Sequence, residues 1–260
     1  MQLAYIFKQK WKNEKRFLEN KGHCPICDSD VIFIANKEWL RESYICTNCG
    51  SVPRERALMY VIQALFPNWQ ELIIHESSPA KKGASMRLSA MCDHYIASQF
   101  FLNKKMGSIV NGVHCENLEK MTFANESIDL HITQDVMEHV FHPSKVWKEI
   151  ERTLKPGGGH VFTVPIVNKT NPSRLRARMD ENGQITHLYP AVYHGNPISK
   201  NGALVTIDWG FDICNHIFES CGLFTQVFHI HDISMGIKAE YIEVLVTRKP
   251  LSTTPTQEIP

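Results

Sequence analysis

Two C-x-x-C pairs near the start of the chain constrain its folding most. They read "CPIC" (Cys24, Cys27) and "CTNC" (Cys46, Cys49), with 18 residues between them. Each pair can close a tight turn that presents two thiolates, and two such turns complete a tetrahedral zinc site with no open position. A module this small needs a staple to fold, and a structural zinc ion supplies one. A thioredoxin-like redox role would explain one pair but leaves the matched second pair without a purpose. "DVIFIA" (30–35) and "RESYIC" (41–46) read as a hairpin carrying the second turn at its end. Cys92, Cys115, Cys214 and Cys221 are scattered among apolar residues and read as small core residues.

The rest of the 260-residue chain is large enough for one α/β domain. The net charge of +1 gives no bulk attraction to nucleic acid or an anionic membrane, and "KQKWKNEKR" (8–16) reads as a solvated helix face. No apolar run approaches the roughly 18 residues that span a bilayer. The first residues are too short and too charged for a signal peptide, so the expected location is the cytoplasm.

After Ser51, helical and strand-like patterns alternate. "SVPRERALMYVIQALF" starts as a helix, and Ala57, Leu58, Val61, Ile62 and Leu65 recur at helical spacing. Strands follow in "ELIIHE", "DHYIAS", "GSIVNGV", "SIDLHITQ" and "GGGHVFTVP", with helices at "GASMRLSAMC" and Pro143–Leu154. "KPGG" introduces the fifth strand as a turn. A helix in "FDICNHIFESCG" precedes "FTQVFHIHDI" and "AEYIEVLVTRK", expected as antiparallel neighbours at a sheet edge with His229 and His231 on one side. This alternation predicts a doubly wound, largely parallel Rossmann-like sheet with ligands at the strands' carboxyl ends. The long polar segment 166–203 interrupts the pattern. Its aromatic and histidine content argues for order. The expected organisation is an N-terminal helix or extension (1–20), a zinc-ribbon-like module (21–52), the main domain (53–249) and a disordered tail (250–260).

"ENLEKMTFANESIDLHITQDVMEHVFHPSKVWKEIERTLKPGGGHVFTVP" resembles the class I S-adenosylmethionine (SAM) dependent methyltransferases. The likeness rests on the lead-in to "IDLHITQ", the "EH" after it and the "R-x-LKPGG" turn. "YHGNP" and "DWGFD" resemble a subgroup that carries an N-terminal cysteine knuckle and accompanies glycan or natural-product biosynthesis. The resemblance spans residues 53–248 and implies a seven-stranded sheet, SAM as cofactor and a small-molecule acceptor. It places Glu76 at the acidic position ending the first strand and Ser78 and Ala80 where the family carries glycines, with Ser77 beside them in the cofactor loop and Gly83 opening the helix that faces the ligand. Serine lacks glycine's freedom at positive φ. Ser98 or Gln99 would take the ribose contact, Asn117 and Leu118 the adenine, and Gln134 the methionine end.

For a hydroxyl acceptor the candidate bases are Asp135, His139, His187 and His194. A second metal formed by Asp135, His187 and His194 is a minor alternative, as is an acceptor phosphate held by Arg174, Arg176 and Arg178. An RNA methyltransferase and a non-catalytic adaptor remain as alternatives. Against RNA stand the near-neutral charge and "QDVME" where base-methylating relatives carry "N/D-P-P-Y/F". Oligomeric state is left open.

Overall fold

The computed structural model describes residues 16–195 and 201–251. The basic run at 8–15 and most of the expected disordered tail lie outside those residues. Seventeen strands are named in chain order. The N-terminal module holds β1 (Leu18–Cys24), β2 (Ser29–Ala35), a short α1 (Leu40–Ser43) and β3 (Ile45–Cys46), with sheet order β1-β2-β3. The expected antiparallel pairing of 30–35 with 41–46 is present but reduced to Ile45–Cys46, and a third strand joins it. Residues 18–24, assigned in part to an N-terminal helix or extension, supply the first strand and pair antiparallel with β2. "RESYIC" turns instead of extending, because Arg41 reaches across to Asp135 and Tyr44 is buried beside Phe33. β3 is left only two residues long and still pairs with β2.

Helix α2 (Pro53–Leu65) follows, with Pro53 in the first turn, where its missing N–H costs nothing. Glu55 accepts from the Val52 amide and fixes the helix start. Next come β4 (Ile74–Ser77), α3 (Gly83–Met91), β5 (Tyr95–Gln99), β6 (Ile109–Val110), β7 (Val113–Cys115), β8 (Ile128–Gln134), α4 (Pro143–Thr153) and β9 (Leu154–Thr163). The segment after β9 forms six short strands: β10 (Arg174–Leu175), β11 (Ala177–Met179), β12 (Ile185–His187), β13 (Tyr193–His194), β14 (Ala203–Leu204) and β15 (Ile207–Asp208). They pair as the ribbons β10–β15, β11–β12 and β13–β14, so the described part of the polar segment is built of short ribbons. Helix α5 (Ile213–Cys221), capped by left-handed Gly222, leads to β16 (Thr225–Phe228) and β17 (Val244–Arg248).

The main sheet runs β16-β17-β9-β8-β4-β5-β7-β6. Neighbours from β9 through β7 are parallel, whereas β17 is antiparallel to both β9 and β16. The sheet has eight strands instead of seven, because "GSIVNGV" folds into the edge strand β6 and the start of β7. "KPGG" is a bulge, not a free turn: the register passes from Ile128↔Leu154 to Leu130↔Gly159. His229 and His231 fall beyond β16. Asp232 caps a tight turn by accepting from the Ser234 and Met235 amides, which ends the strand early.

Period two sorts the cores. Val161, Val244 and Val246 face α2 and α3, whereas Phe162 and Leu245 face α4 and α5. Cys24, Ile26, Phe33, Tyr44 and Cys46 belong to the first of these cores, so the cysteine module and the main sheet share one apolar interior. Buried Arg56 staples them together. Its guanidinium donates to the carbonyls of Ser51, Tyr44 and Gly236 and stacks 4.7 Å from the centre of the Phe33 ring.

Candidate active site

The chain winds from β4 outward through β5 and β7, then returns to β8 on the other side of β4. That reversal is the switch point at which open α/β sheets hold ligands. Register places Ser77 opposite Thr133, so Ser78 and Gln134 leave the sheet side by side. Ser78 adopts φ 57° and Asp135 φ 52°. Left-handed backbone at non-glycine residues is costly and concentrates at functional sites. The serine thus adopts the conformation that glycine would take freely. Gly83 opens α3 at φ +62°, and a Cβ there would lie 2.3 Å from the Glu55 carboxylate.

Glu76 is fully buried, and its carboxylate accepts three internal hydrogen bonds. It accepts from Ser85 Oγ at 2.6 Å, Gln134 Nε2 at 2.7 Å and Tyr95 OH at 2.7 Å. Burial pushes its pKa up, against the pull of those three donors. Its place is at the base of the crevice, holding Gln134 and α3 in register. Ser98 turns into the core and donates to His75 Nε2 at 2.7 Å, which corrects its expected place at the ribose. Gln99, next along β5, remains half-buried. Asn117 accepts from the Glu119 amide at 2.9 Å, fixing a turn above buried Leu118.

Asp135 does not stand as a base. Burial alone would raise its pKa, yet the guanidinium groups of Arg41 and Arg54 hold it below the ordinary carboxylate range. Arg41 Nη2 lies 2.8 Å and Arg54 Nε 2.9 Å from its Oδ2, while Thr163 donates to Oδ1. His187 is exposed on the β11–β12 ribbon. His139 and His194 come together with ring centres 5.1 Å apart. Between them lies Glu138, which sequence reasoning passed over although it stands beside His139 in "MEHV". The stretch around β15 fixes this loop: Thr206 donates to the Glu138 and Val140 carbonyls, and Trp209 Nε1 donates to the Met137 carbonyl.

A cavity of about 350 Å³ opens beside it, walled by Glu138, His194, Val167, Val192, Arg174 and Asp208 among others. Arg174 Nη2 and Arg176 Nη1 both engage Asp208 Oδ2, at 2.7 and 2.8 Å, so these two arginines are committed internally instead of offered to an acceptor phosphate.

In the N-terminal module the four cysteine sulfurs lie within 4.8 Å of one another. Cys24–Cys49 and Cys27–Cys46 are each 3.8 Å apart. Four thiolates about 2.3 Å from a tetrahedral centre stand about 3.8 Å apart, so the donor set fits zinc. The Asn48 and Cys49 amides donate to Cys46 Sγ, which suits a charged thiolate.

The main sheet is a doubly wound, mostly parallel α/β sheet with an antiparallel β17 beside β9. Residues 94–162 match the family model described as a methyltransferase domain. Dimethylglycine N-methyltransferase of Parasynechococcus marenigrum is 43% identical over 54 residues, a match covering 21% of this chain and 19% of that protein. Among solved structures, an S-adenosylmethionine dependent methyltransferase from Mesorhizobium loti is similar with TM-score 0.46 and 17% identity, covering 74% of this chain and 98% of that one. 1,6-Didemethyltoxoflavin-N1-methyltransferase of Burkholderia thailandensis gives TM-score 0.44 and 9% identity, over 76% of this chain and 78% of its own. Among the described residues no helix is long and apolar enough to cross a membrane.

Proposed function

We propose that this chain transfers a methyl group from SAM to a small-molecule acceptor, a hydroxyl of a sugar or biosynthetic intermediate. The observation that carries this reading is the pair of left-handed residues, Ser78 and Asp135, ending adjacent strands β4 and β8. Six other described non-glycine residues are also left-handed, but these two end neighbouring parallel strands at the switch point, where strained turns serve ligand binding. Ser78, Gln134 and the opening of α3 would hold the methionine end, Gln99 the ribose, and Asn117 with Leu118 the adenine. When bound, the cofactor supplies an electrophilic methyl on a sulfonium. The chain's own residues position the acceptor, exclude water under the β10–β15 segment and manage the hydroxyl proton. His194 and Glu138 in the wall of the 350 Å³ cavity are the ionisable groups placed for that last task. Asp135, fixed as a carboxylate between two arginines, orients the loop. The cysteine module would hold a structural zinc ion and brace the crevice through Arg41.

A second reading, a non-catalytic adaptor, is favoured by two observations: Glu76 is engaged by three internal donors and Ser98 is turned inward. Calorimetric titration of the zinc-loaded chain with SAM and S-adenosylhomocysteine separates the two. Micromolar binding, weakened at least tenfold by Gln134→Ala, supports the enzyme. Silence up to millimolar of both ligands, with and without sugar acceptors, overturns it.

A further inference from the structure

We propose that Glu138, His139 and His194 form a second metal site, distinct from the cysteine cluster, that takes a divalent transition-metal ion. Their ligand atoms all lie within 4.8 Å of one another. His139 Nε2 is 3.7 Å and His194 Nδ1 3.5 Å from Glu138 Oε1. These separations are too long for hydrogen bonds. They are close to the roughly 3 to 3.5 Å that separates neighbouring ligands held about 2.1 Å from one ion.

The carboxylate is the strongest sign. The Glu138 side chain is only 3% exposed, yet neither of its oxygens has a hydrogen-bond partner among the described residues. A buried carboxylate left in this way costs several kcal/mol, so native structures pair such groups or give them a metal. The two imidazoles on either side are the right partners.

The geometry around His139 also fits a ligand. Its Nδ1–H donates to the Leu204 carbonyl at 2.8 Å, which fixes the tautomer and leaves the Nε2 lone pair facing Glu138. Metal-bound histidines are oriented by this kind of outer hydrogen bond. Leu204 belongs to β14, and β14 pairs with β13, which carries His194. One ribbon therefore supplies both a ligand and the group that orients another ligand.

Two nitrogens and one carboxylate favour zinc, iron, cobalt, nickel or manganese over magnesium or calcium, which prefer all-oxygen shells. Three protein ligands leave open positions. Glu138 and His194 line the 350 Å³ cavity, so an oxygen of a small molecule in that cavity can complete the shell. A hydroxyl bound there would lose its proton more readily. The metal site stands on its own ligands and does not depend on methyl transfer.

The test is a Co²⁺ titration of the full chain with its cysteine site already filled by zinc, followed by calorimetry and visible absorption. One further equivalent should bind, with the weak bands of a nitrogen and oxygen shell and without intense thiolate charge-transfer bands. His139→Ala and His194→Ala should each weaken binding at least tenfold while the circular dichroism spectrum is unchanged. Because Glu138→Ala would leave a hole in the buried loop, Glu138→Gln serves as the third variant and should weaken binding comparably. Absence of a second equivalent, or binding that survives both histidine variants, overturns the proposal. In that case Glu138 is only an ion-pair partner for protonated His194.

Discussion

Arg41 of the cysteine module and Asp135 at the end of β8 are joined by a 2.8 Å ion pair across the mouth of the switch-point crevice. Arg41 also donates to the Tyr241 carbonyl, and Arg54 shares the Asp135 carboxylate. The module is thereby locked to the strand end beside which a cofactor would lie.

Arg41→Leu should leave Asp135 half-compensated and cost about 2 to 4 kcal/mol in urea unfolding at pH 7. The sign with pH follows from the lowered native pKa of Asp135. Its contribution is fully present above the unfolded carboxylate pKa and is lost as pH falls through the depressed native value. The Arg41→Leu penalty should therefore shrink in strong acid. A penalty equal at pH 7 and below the native pKa would contradict the assignment.

Under the proposed function, removing zinc from the cysteine site should unfold more than the module, because Phe33, Tyr44 and Cys46 share a core with Ala57, Leu58 and Ile62 of α2. Cys46→Ser, or a strong chelator, should lower the melting temperature of the whole chain in a single transition. Two separate transitions would show that the module folds independently.

His75, His131 and His160 form a ladder of buried histidines on neighbouring strands, in register with one another. Thr153 Oγ1 donates to the Glu149 carbonyl, so it accepts from His131 Nε2. His131 Nδ1 then accepts from His75 Nδ1 at 2.8 Å, and His75 Nε2 accepts from Ser98. All three imidazoles are held neutral. Burial drives His75 and His160 down to about 3, and His131 well below its ordinary value. The unfolded chain binds more protons below about pH 6.5, so stability falls as pH drops from there toward 3. The slope approaches about 1.4 kcal/mol per pH unit for each histidine. His160→Phe, stacked on Phe162, should flatten that dependence by about one third. An unchanged slope in acid titrations followed by fluorescence would refute the ladder's role.

Ser78→Gly should stabilise the chain by about 1 kcal/mol by relieving a left-handed residue, whereas Ser78→Val should destabilise it by more. Under the proposed function the glycine variant keeps SAM affinity and the valine variant loses it. Equal stability of all three forms would mean that the turn is not held at φ 57°.

The sequence alone indicated the alternation of helices and strands and the cysteine cluster, for a physical reason. Period-two and period-3.6 patterns are local, and two C-x-x-C turns state their own ligand geometry. It did not reveal Glu138, because one carboxylate in "MEHV" looks like any other until burial strips it of partners. Nor did it reveal that Ser98 would face His75 or that Arg41 would reach Asp135, since both depend on register between strands far apart in the chain. His139 and His194 were visible as candidates, and only the β13–β14 ribbon decided that they meet while His187 stays exposed. Local chemistry is written residue by residue, whereas desolvation and encounter are properties of the packed whole.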